Sequence, residues 1–489
     1  MDFLTLFVIV CMLNSALYFI DTIFKTCSHY PYIRFLQETG LTVGFFKVTW
    51  FTRAFNRSLQ RCSSYRPKIL DEWFRLGVIA TILLLPVSVI ALLISIRNIF
   101  RTDSASTEDM LVLEPMVPGI NLPVSDFGYY FFTITVCSIV HEMGHIIAAL
   151  REDIHISGVG LIAVLIVPMA YVKMNSEQLA ALSPKRQLRI FCAGIWHNIA
   201  LAVLAYLFLV MIPFIFSPIY DLGRGVVVLN VHQNSQIAGK TGVGIGDKLV
   251  AINDCEVSDS ENWLQCLKSF NHKPAPGFCV NEDIIHELDQ SVPLRMSDGG
   301  TVQCCDESSE SHLCFETLDN GAPLQILQYS CLPGRPVIAG TAFMCSTPKE
   351  CPPGLHCVRP VTPEGTTLLR IQRSRGNVVI FIGKPNHVRR TVQVSEYVQV
   401  FDLFPPEFAE RLTRLTEYFV LFSSGLALIN TIPCFYFDGN HVTYALVNYL
   451  FQGRFHNNNL ISLSINVLGT LLLIINFSCL IWKSVIKIF

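Results

Sequence analysis

Two histidines with a glutamate between them form the part of this chain best suited to chemistry. They lie in the segment His141-Glu142-Met143-Gly144-His145. Residues four apart share one face of a helix, so both imidazoles can direct a ring nitrogen at the same metal ion. Zinc held in this way lowers the pKa of a bound water, and the neighbouring Glu142 carboxylate can take the proton and pass it to a leaving amine. The spacing therefore predicts zinc-dependent hydrolysis of a peptide bond.

The surroundings of this pentapeptide place the chemistry in a membrane. The run 127–150 is otherwise uncharged and long enough for a membrane-spanning helix. An ionisable residue at the centre of such a helix costs roughly 2.5–3.5 kcal/mol on insertion scales, so these residues usually face a polar interior and serve a function. A chance pentapeptide on a buried helix of a soluble protein is the alternative, and the apolar run disfavours it.

The composition of the whole chain agrees with a membrane protein. Of its 489 residues 51% are hydrophobic and 15% are charged, which is too apolar for an ordinary soluble protein. The net charge of −2 gives no global attraction to nucleic acid, so we expect no direct nucleic-acid partner. We expect a polytopic α-helical membrane protein with about six spans, five of them clear (3–20, 74–96, 127–150, 190–216 and 460–482) and a sixth at 418–433 whose helix begins near Pro406.

A further apolar segment, 156–172, is rich in glycine, proline and β-branched residues. This composition favours a re-entrant hairpin over a spanning helix. The segment 3–20 has no basic start and no small-residue cleavage site, so it is expected to be retained as a span and not removed as a signal peptide.

Cysteines are concentrated in one polar region of the chain. Ten of the 17 fall between Cys255 and Cys357, in a segment with abundant glycine, proline and serine. An even number in such a segment predicts a disulfide framework in an oxidising compartment, although the pairing cannot be read from sequence. A structural zinc module is the alternative, and it is disfavoured because paired C-x-x-C units are missing.

The cysteine-rich region also suggests an orientation. If residues 222–412 are lumenal, counting the spans backwards puts 21–73 in the cytosol and 98–126 in the lumen. The positive-inside rule agrees, because residues 21–70 carry eight Lys or Arg and residues 102–126 carry none. The sequon at Asn56 would be usable only if its loop were lumenal, and a second sequon, at Asn476, lies within an apolar span.

The polar region begins with a strand-like segment, 225–231, followed by the glycine-rich 242–254. This pattern resembles a PDZ domain, a module that binds peptides by adding them to a sheet edge. A second strand-rich part, 367–394, is expected to complete the fold after the cysteine-rich insertion at 255–357. An unrelated small β domain is the alternative.

Two histidines and a water leave a zinc site one protein ligand short. Asp438 is the preferred third ligand, because it follows a membrane helix and precedes an apolar run, and because Gly439 lets the backbone approach the metal closely. His441 and Cys434 remain alternative third ligands. A purely structural role for Asp438, as a helix cap, is the other alternative.

These features together resemble the site-2 protease family of intramembrane zinc metalloproteases. They are an intramembrane His-Glu-x-x-His, the segment from Asn430 through Pro433 to Asp438-Gly439, and a PDZ-like domain between them. The long cysteine-rich insertion is similar to that of animal members. The resemblance implies one zinc ion held by His141, His145 and Asp438, and Glu142 as the catalytic residue. It also matches Gly194 and Asn198 to a Gly-x-x-x-Asn element, making Asn198 and Asn430 candidates for contacts with substrate or oxyanion. Phe437 departs from the leucine usual before Asp-Gly.

The expected organisation has four parts: membrane segments and loops at 1–126, the first half of the protease core at 127–216, the lumenal domain at 222–412, and the second half of the core at 413–489. By resemblance, the substrates are single-span, membrane-tethered transcription factors of sterol and stress signalling, cut in the bilayer after a prior lumenal cut, in the Golgi or endoplasmic reticulum. A metal transporter and a non-catalytic PDZ scaffold are the alternatives.

Overall fold

The computed structural model describes residues 3–64, 67–100, 113–114, 116, 122–232, 235–239, 241–270, 274–296, 301–306, 309, 311–318, 328–341, 343–363, 365–401, 404–451 and 457–486. Most of the loop 98–126, which was expected to be lumenal, lies outside these residues. The helices are α1 Phe3–Thr26, α2 Tyr30–Thr39, α3 Asn56–Ser64, α4 Pro67–Phe100, α5 Phe127–Arg151, α6 Ser176–Ala181, α7 Pro184–Phe216, α8 Ser260–Ser269, α9 Glu282–Leu288, α10 Gly334–Gly340, α11 Pro385–Thr391, α12 Pro406–Thr431, α13 Asp438–Leu450 and α14 Asn458–Ile486.

The strands are short and antiparallel wherever they pair. They are β1 Leu41–Gly44, β2 Lys47–Thr52, β3 Ile156–Val164, β4 Val167–Met174, β5 Tyr220–Asp221, β6 Val226–Val231, β7 Lys248–Ile252, β8 Cys255–Glu256, β9 Gly277–Asn281, β10 Arg295–Met296, β11 Val302–Gln303, β12 His312–Thr317, β13 Tyr329–Pro333, β14 Met344–Cys345, β15 Leu355–Pro360, β16 Thr367–Arg373, β17 Val379–Gly383, β18 Val392–Ser395 and β19 Val398–Gln399.

Six helices of the described chain are long and apolar enough to cross a membrane: α1, α4, α5, α7, α12 and α14. They correspond to the six apolar segments expected from the sequence, including the helix that begins at Pro406. Contacts divide the chain into two compact units, residues 1–210 with 414–489, and residues 211–413. The first unit contains all six of these helices, apart from the ends of α7 and α12.

A four-stranded sheet accompanies the helices of the first unit, in the order β1-β2-β3-β4. The predicted hairpin at 156–172 corresponds to β3 and β4. Residues 21–73, expected in the cytosol, contribute to this sheet, because β2 pairs with β3 from Lys47↔Val164 to Thr52↔Val159. The alternating Lys47-Val-Thr-Trp-Phe-Thr segment was the available signal for a strand.

The second unit contains two larger sheets. One has the order β17-β16-β7-β6-β18, with β8 also on β7, so strands from both sides of the cysteine-rich region share one sheet. The other has the order β13-β12-β15-β9-β14. Strand β16 is buried on both faces, because Leu369 packs in the core of the first sheet with Trp263, while Leu368 packs in the core of the second with Phe278.

All ten cysteines of the cysteine-rich region are paired: Cys255–Cys266, Cys279–Cys351, Cys304–Cys314, Cys305–Cys331 and Cys345–Cys357. This pairing fits a disulfide framework and leaves no thiolate there for the alternative zinc module. The insertion boundary at 255 needs correction, however. The Cys255–Cys266 bond joins β8 to α8, and α8 packs in the core of the first sheet through Trp263. The second sheet therefore begins only at β9.

Candidate metal centre and its surroundings

Three side chains from distant parts of the chain meet in the first unit. Helix α5 presents His141 and His145, and Asp438 is the first residue of α13. The Asp438 Oδ2 atom lies 2.8 Å from His141 Nε2 and 3.2 Å from His145 Nε2. The two Nε2 atoms are 3.1 Å apart. Both histidines are buried, and the Asp438 side chain is 20% exposed.

This donor set fits a metal ion. Tetrahedral zinc with bonds of 2.0–2.1 Å keeps neighbouring donor atoms about 3.3 Å apart, close to the three separations observed here. Two imidazole nitrogens and one carboxylate oxygen are ligands that zinc accepts, and three protein ligands leave a fourth position for water or substrate. Among the described residues, the other cluster of potential ligands is Cys279, Cys345 and Cys351, whose sulfur atoms are already in disulfides.

The far side of each imidazole is also held. His145 Nδ1 lies 2.8 Å from the Ile190 carbonyl oxygen, to which it can only donate, so its Nε2 lone pair faces the other two ligands. His141 Nδ1 lies 3.1 Å from the Asn198 amide. The Asn198 Oδ1 atom is buried without a partner in the described structure. Exchanging the two ends of this amide lets Oδ1 accept from His141 Nδ1–H, so that the His141 Nε2 lone pair faces His145 and Asp438.

This contact shows where Asn198, a candidate for substrate or oxyanion contact, lies. Its side chain is fully buried and contacts the His141 ring nitrogen that does not face Asp438. Asn430, the other candidate for a substrate or oxyanion contact, is half-buried near the end of α12. The described structure gives it no hydrogen bond to the three clustered residues.

Glycines bring α5 and α7 close enough for this packing. A Cβ atom at Gly194 of α7 would overlap the Nε2 atoms of both His141 and His145. A Cβ at Gly144 of α5 would lie 2.5 Å from the Ala193 carbonyl oxygen. Both positions therefore require glycine, although glycine costs about 1 kcal/mol relative to alanine in a helix interior. The backbone of α7 therefore packs directly against both imidazole rings.

Glu142 lies next to the three clustered residues and beside strand β4. The backbone N–H of Val172 lies on the side of its carboxylate and favours the charged form. One turn earlier on α5, Ser138 Oγ accepts from the Ala170 N–H at 2.7 Å. Val172 and Ala170 are two residues apart on β4, so both N–H groups point away from β3. Strand β4 is thus held along α5 by Ser138, one turn before the residue expected to move protons.

The structure separates Asp438 from its two rivals. Cys434 is buried in the turn before α13, and its sulfur is not among the clustered donor atoms. The His441 ring stacks on Phe191, with centroids 5.1 Å apart. Gly439 allows the start of α13 to pack against the end of α12, because a Cβ at this position would overlap the Ile432 carbonyl oxygen. This is a close approach of backbone to backbone, where the sequence suggested an approach to the metal.

Several residues that shape the centre were not singled out from the sequence. The Ile190 carbonyl and the Ser138 hydroxyl carry no sequence signal, because apolar helices contain many such groups. Gly144 gave a usable signal, since glycine inside an apolar helix often marks close packing.

Comparison with known proteins adds the following findings. A family model described as Peptidase family M50 matches residues 129–475. A protein of Arabidopsis thaliana described as "Membrane-bound transcription factor site-2 protease homolog" is 22% identical over 432 residues, which cover 79% of this chain and 82% of that protein. The family match includes His141, Glu142, His145 and Asp438.

Proposed function

We propose that this chain, which belongs to peptidase family M50, is a zinc metalloendopeptidase that hydrolyses a peptide bond within the transmembrane segment of single-span membrane proteins. The family match and the similarity to a site-2 protease homologue confirm the resemblance found in the sequence and support a metalloprotease that acts in a membrane.

One observation carries the proposal. His141, His145 and Asp438 bring three donor atoms within 3.2 Å of one another, next to Glu142, on a helix apolar enough to cross a membrane. Without a shared cation or proton, this convergence of lone pairs and negative charge in a buried place would be costly. We therefore assign these three residues as the zinc ligands.

The chemistry divides between the bound ion and the protein. Zinc, when bound, supplies a Lewis acid that polarises the scissile carbonyl and makes water a better nucleophile. Glu142 takes a proton from the attacking water and returns it to the leaving amide nitrogen. The Ile190 carbonyl and the Asn198 amide fix the two ligand imidazoles with their Nε2 atoms directed inward.

The substrate must be at least partly unwound at the cleavage site, because an intact helix keeps its carbonyls in its own hydrogen bonds. Strand β4 is an outer strand of its sheet and passes beside Glu142. An unwound segment that adds to this edge would lie next to the three ligands. Such pairing would compete with the Ser138 contact of the Ala170 N–H and would move the Val172 N–H away from Glu142, so docking of the substrate would change the surroundings of that carboxylate.

The proposed substrates are membrane-tethered transcription factors that a lumenal protease has already trimmed, with roles in sterol and stress signalling. The name of the Arabidopsis protein supports this class. We place residues 222–412 in the lumen of the Golgi or endoplasmic reticulum, because five disulfides suit an oxidising compartment. The first sheet of this region would act as a PDZ-like docking module.

A metal transporter and a catalytically inactive scaffold are disfavoured by the same site. A transport path needs polar groups in succession through the membrane, whereas His141, His145 and Asp438 converge on one point. A scaffold has no need of a half-buried glutamate beside two paired histidines.

The test is release of a soluble fragment from a pre-trimmed single-span substrate in cells that lack the endogenous protein. Wild type should release the fragment, and Glu142→Gln and His141→Ala should not. Gly128→Ala, a substitution in open space on the same helix, is the matched control and should keep activity. Equal release by all variants would reject the protease.

A further inference from the structure

Helix α14 contains no side chain of the metal centre, yet one of its faces touches the turn that presents Asp438. Asn466 Nδ2 donates to Asn440 Oδ1 at 2.6 Å. Thr470 Oγ1 accepts from the Phe435 backbone N–H at 3.1 Å. Asn466 and Thr470 are one helical turn apart, so a single face of α14 holds the chain on both sides of Asp438.

Between these two contacts the backbones come very close. A Cβ atom at Gly469 would overlap the Pro433 carbonyl oxygen, a backbone atom that cannot swing aside. Helix α14 therefore packs directly against the turn, and glycine is the residue that permits it.

The turn itself needs outside support. Tyr436 adopts φ +73°, in the left-handed region that a tyrosine rarely occupies, and its side chain is fully exposed. An exposed side chain supplies no packing that could hold this conformation, so the neighbouring backbone must. The adjacent Phe435 N–H has its partner in Thr470. The Thr470 hydroxyl donates to the Asn466 carbonyl at 2.7 Å, which leaves an oxygen lone pair aimed at the turn.

We propose that Asn466, Gly469 and Thr470 are positioning residues for the third zinc ligand: they hold residues 433–440 so that Asp438 Oδ2 reaches both His141 and His145. This inference rests on the proposed zinc site. It gives α14, which supplies no ligand, a role in metal affinity.

The test compares Thr470→Val with Thr470→Ser in the full-length protein. Valine keeps the shape of threonine but cannot accept the Phe435 N–H, whereas serine keeps the hydroxyl. The matched control is Ser464→Ala on the same helix, because Ser464 also bonds to the carbonyl four residues earlier but faces away from the turn. Gly469→Ala is paired with Gly425→Ala, a position in open space.

Two readouts report on the ligand geometry directly. They are the zinc dissociation constant, from competition with a chelator, and the visible absorption spectrum of the Co²⁺-substituted protein. Thr470→Val and Gly469→Ala should weaken zinc binding roughly 10- to 100-fold, the usual effect of removing an outer partner of a ligand, and should change the Co²⁺ spectrum. Thr470→Ser, Ser464→Ala and Gly425→Ala should behave like wild type.

Asp438→Ala distinguishes a failure of the proposed zinc ligand set from a failure of the proposed role of α14. If Asp438→Ala weakens zinc binding while Thr470→Val and Gly469→Ala keep wild-type affinity and spectrum, the role of α14 is rejected and the zinc site stands. If Asp438→Ala itself binds zinc like wild type, the proposed ligand set is wrong.

Discussion

At the scale of single residues, the candidate metal centre depends on two glycines as much as on the histidines themselves. Gly194 lets α7 backbone lie against both imidazoles, and Gly144 permits the reciprocal approach of α5. Imidazoles held by packing and by Nδ1 partners lose little freedom when a metal binds. The histidines alone would not make a precise site.

Gly194→Ala tests this packing. Its new Cβ must displace His141, His145 or the α7 backbone, so we expect zinc affinity to fall roughly tenfold or more. Metal content after dialysis against a chelator measures the effect. Gly128→Ala on α5 has open space around its Cβ and should retain zinc. Full zinc retention by Gly194→Ala would show that the close contact is unimportant.

Glu396 in the second unit gives a prediction about pH. Burial raises the pKa of its carboxyl, and the nearby Glu410 and Asp259 raise it further. A folded-state pKa above the unfolded value means that the folded protein binds more protons in between, so stability falls as pH rises through that interval. Glu396→Gln removes this penalty. It should raise the melting temperature at pH 8 and have little effect at pH 4, and a lower melting temperature at pH 8 would contradict the assignment.

At the scale of elements, the sequence predicted most of what hydrophobic periodicity can encode. The six spans, the hairpin at 156–172 and the convergence of His141, His145 and Asp438 were accessible, because long apolar runs and ionisable residues within them have few explanations. The pairing of β2 with β3 was not accessible, because it joins segments about 110 residues apart and nothing local specifies the partner.

The proposed role of α14 could not be predicted from the sequence for a related reason. Its apolar composition identifies a span, but Asn466, Gly469 and Thr470 become informative only once the turn they support is placed beside them. The cysteine-rich insertion was expected to begin at 255 because the density of cysteines rises there, whereas the second sheet begins only at β9. Disulfide partners, and with them the assignment of Cys255 and Cys266 to the first sheet, depend on the fold.

At the scale of the whole molecule, cysteine chemistry distinguishes the two units. The second unit holds five disulfides, whereas the free cysteines whose side chains the structure describes all belong to the first: Cys11, Cys27, Cys137, Cys192, Cys434 and Cys479. This division fits one unit exposed to an oxidising lumen and another in the membrane.

Cys27 offers a direct test of the orientation. It is free and exposed, and it lies in the segment predicted to be cytosolic. In sealed vesicles with the cytosolic face outward, a membrane-impermeant maleimide should label Cys27, with Cys27→Ser as the control for its signal. The ten paired cysteines should react only after the vesicles are permeabilised and reduced. Labelling of Cys27 only after permeabilisation would invert the proposed topology.

The most direct test of the central claim is the position of the bond that is cut. Purified wild-type protein with zinc, reconstituted in liposomes with a pre-trimmed single-span substrate, should yield products whose masses place the new termini inside the apolar segment. Glu142→Gln should retain zinc, since Glu142 is not a ligand, yet lose activity by about 10²- to 10⁴-fold, the usual contribution of a general base. Cleavage only outside the apolar segment, or wild-type activity in Glu142→Gln, would contradict an intramembrane protease built on this site.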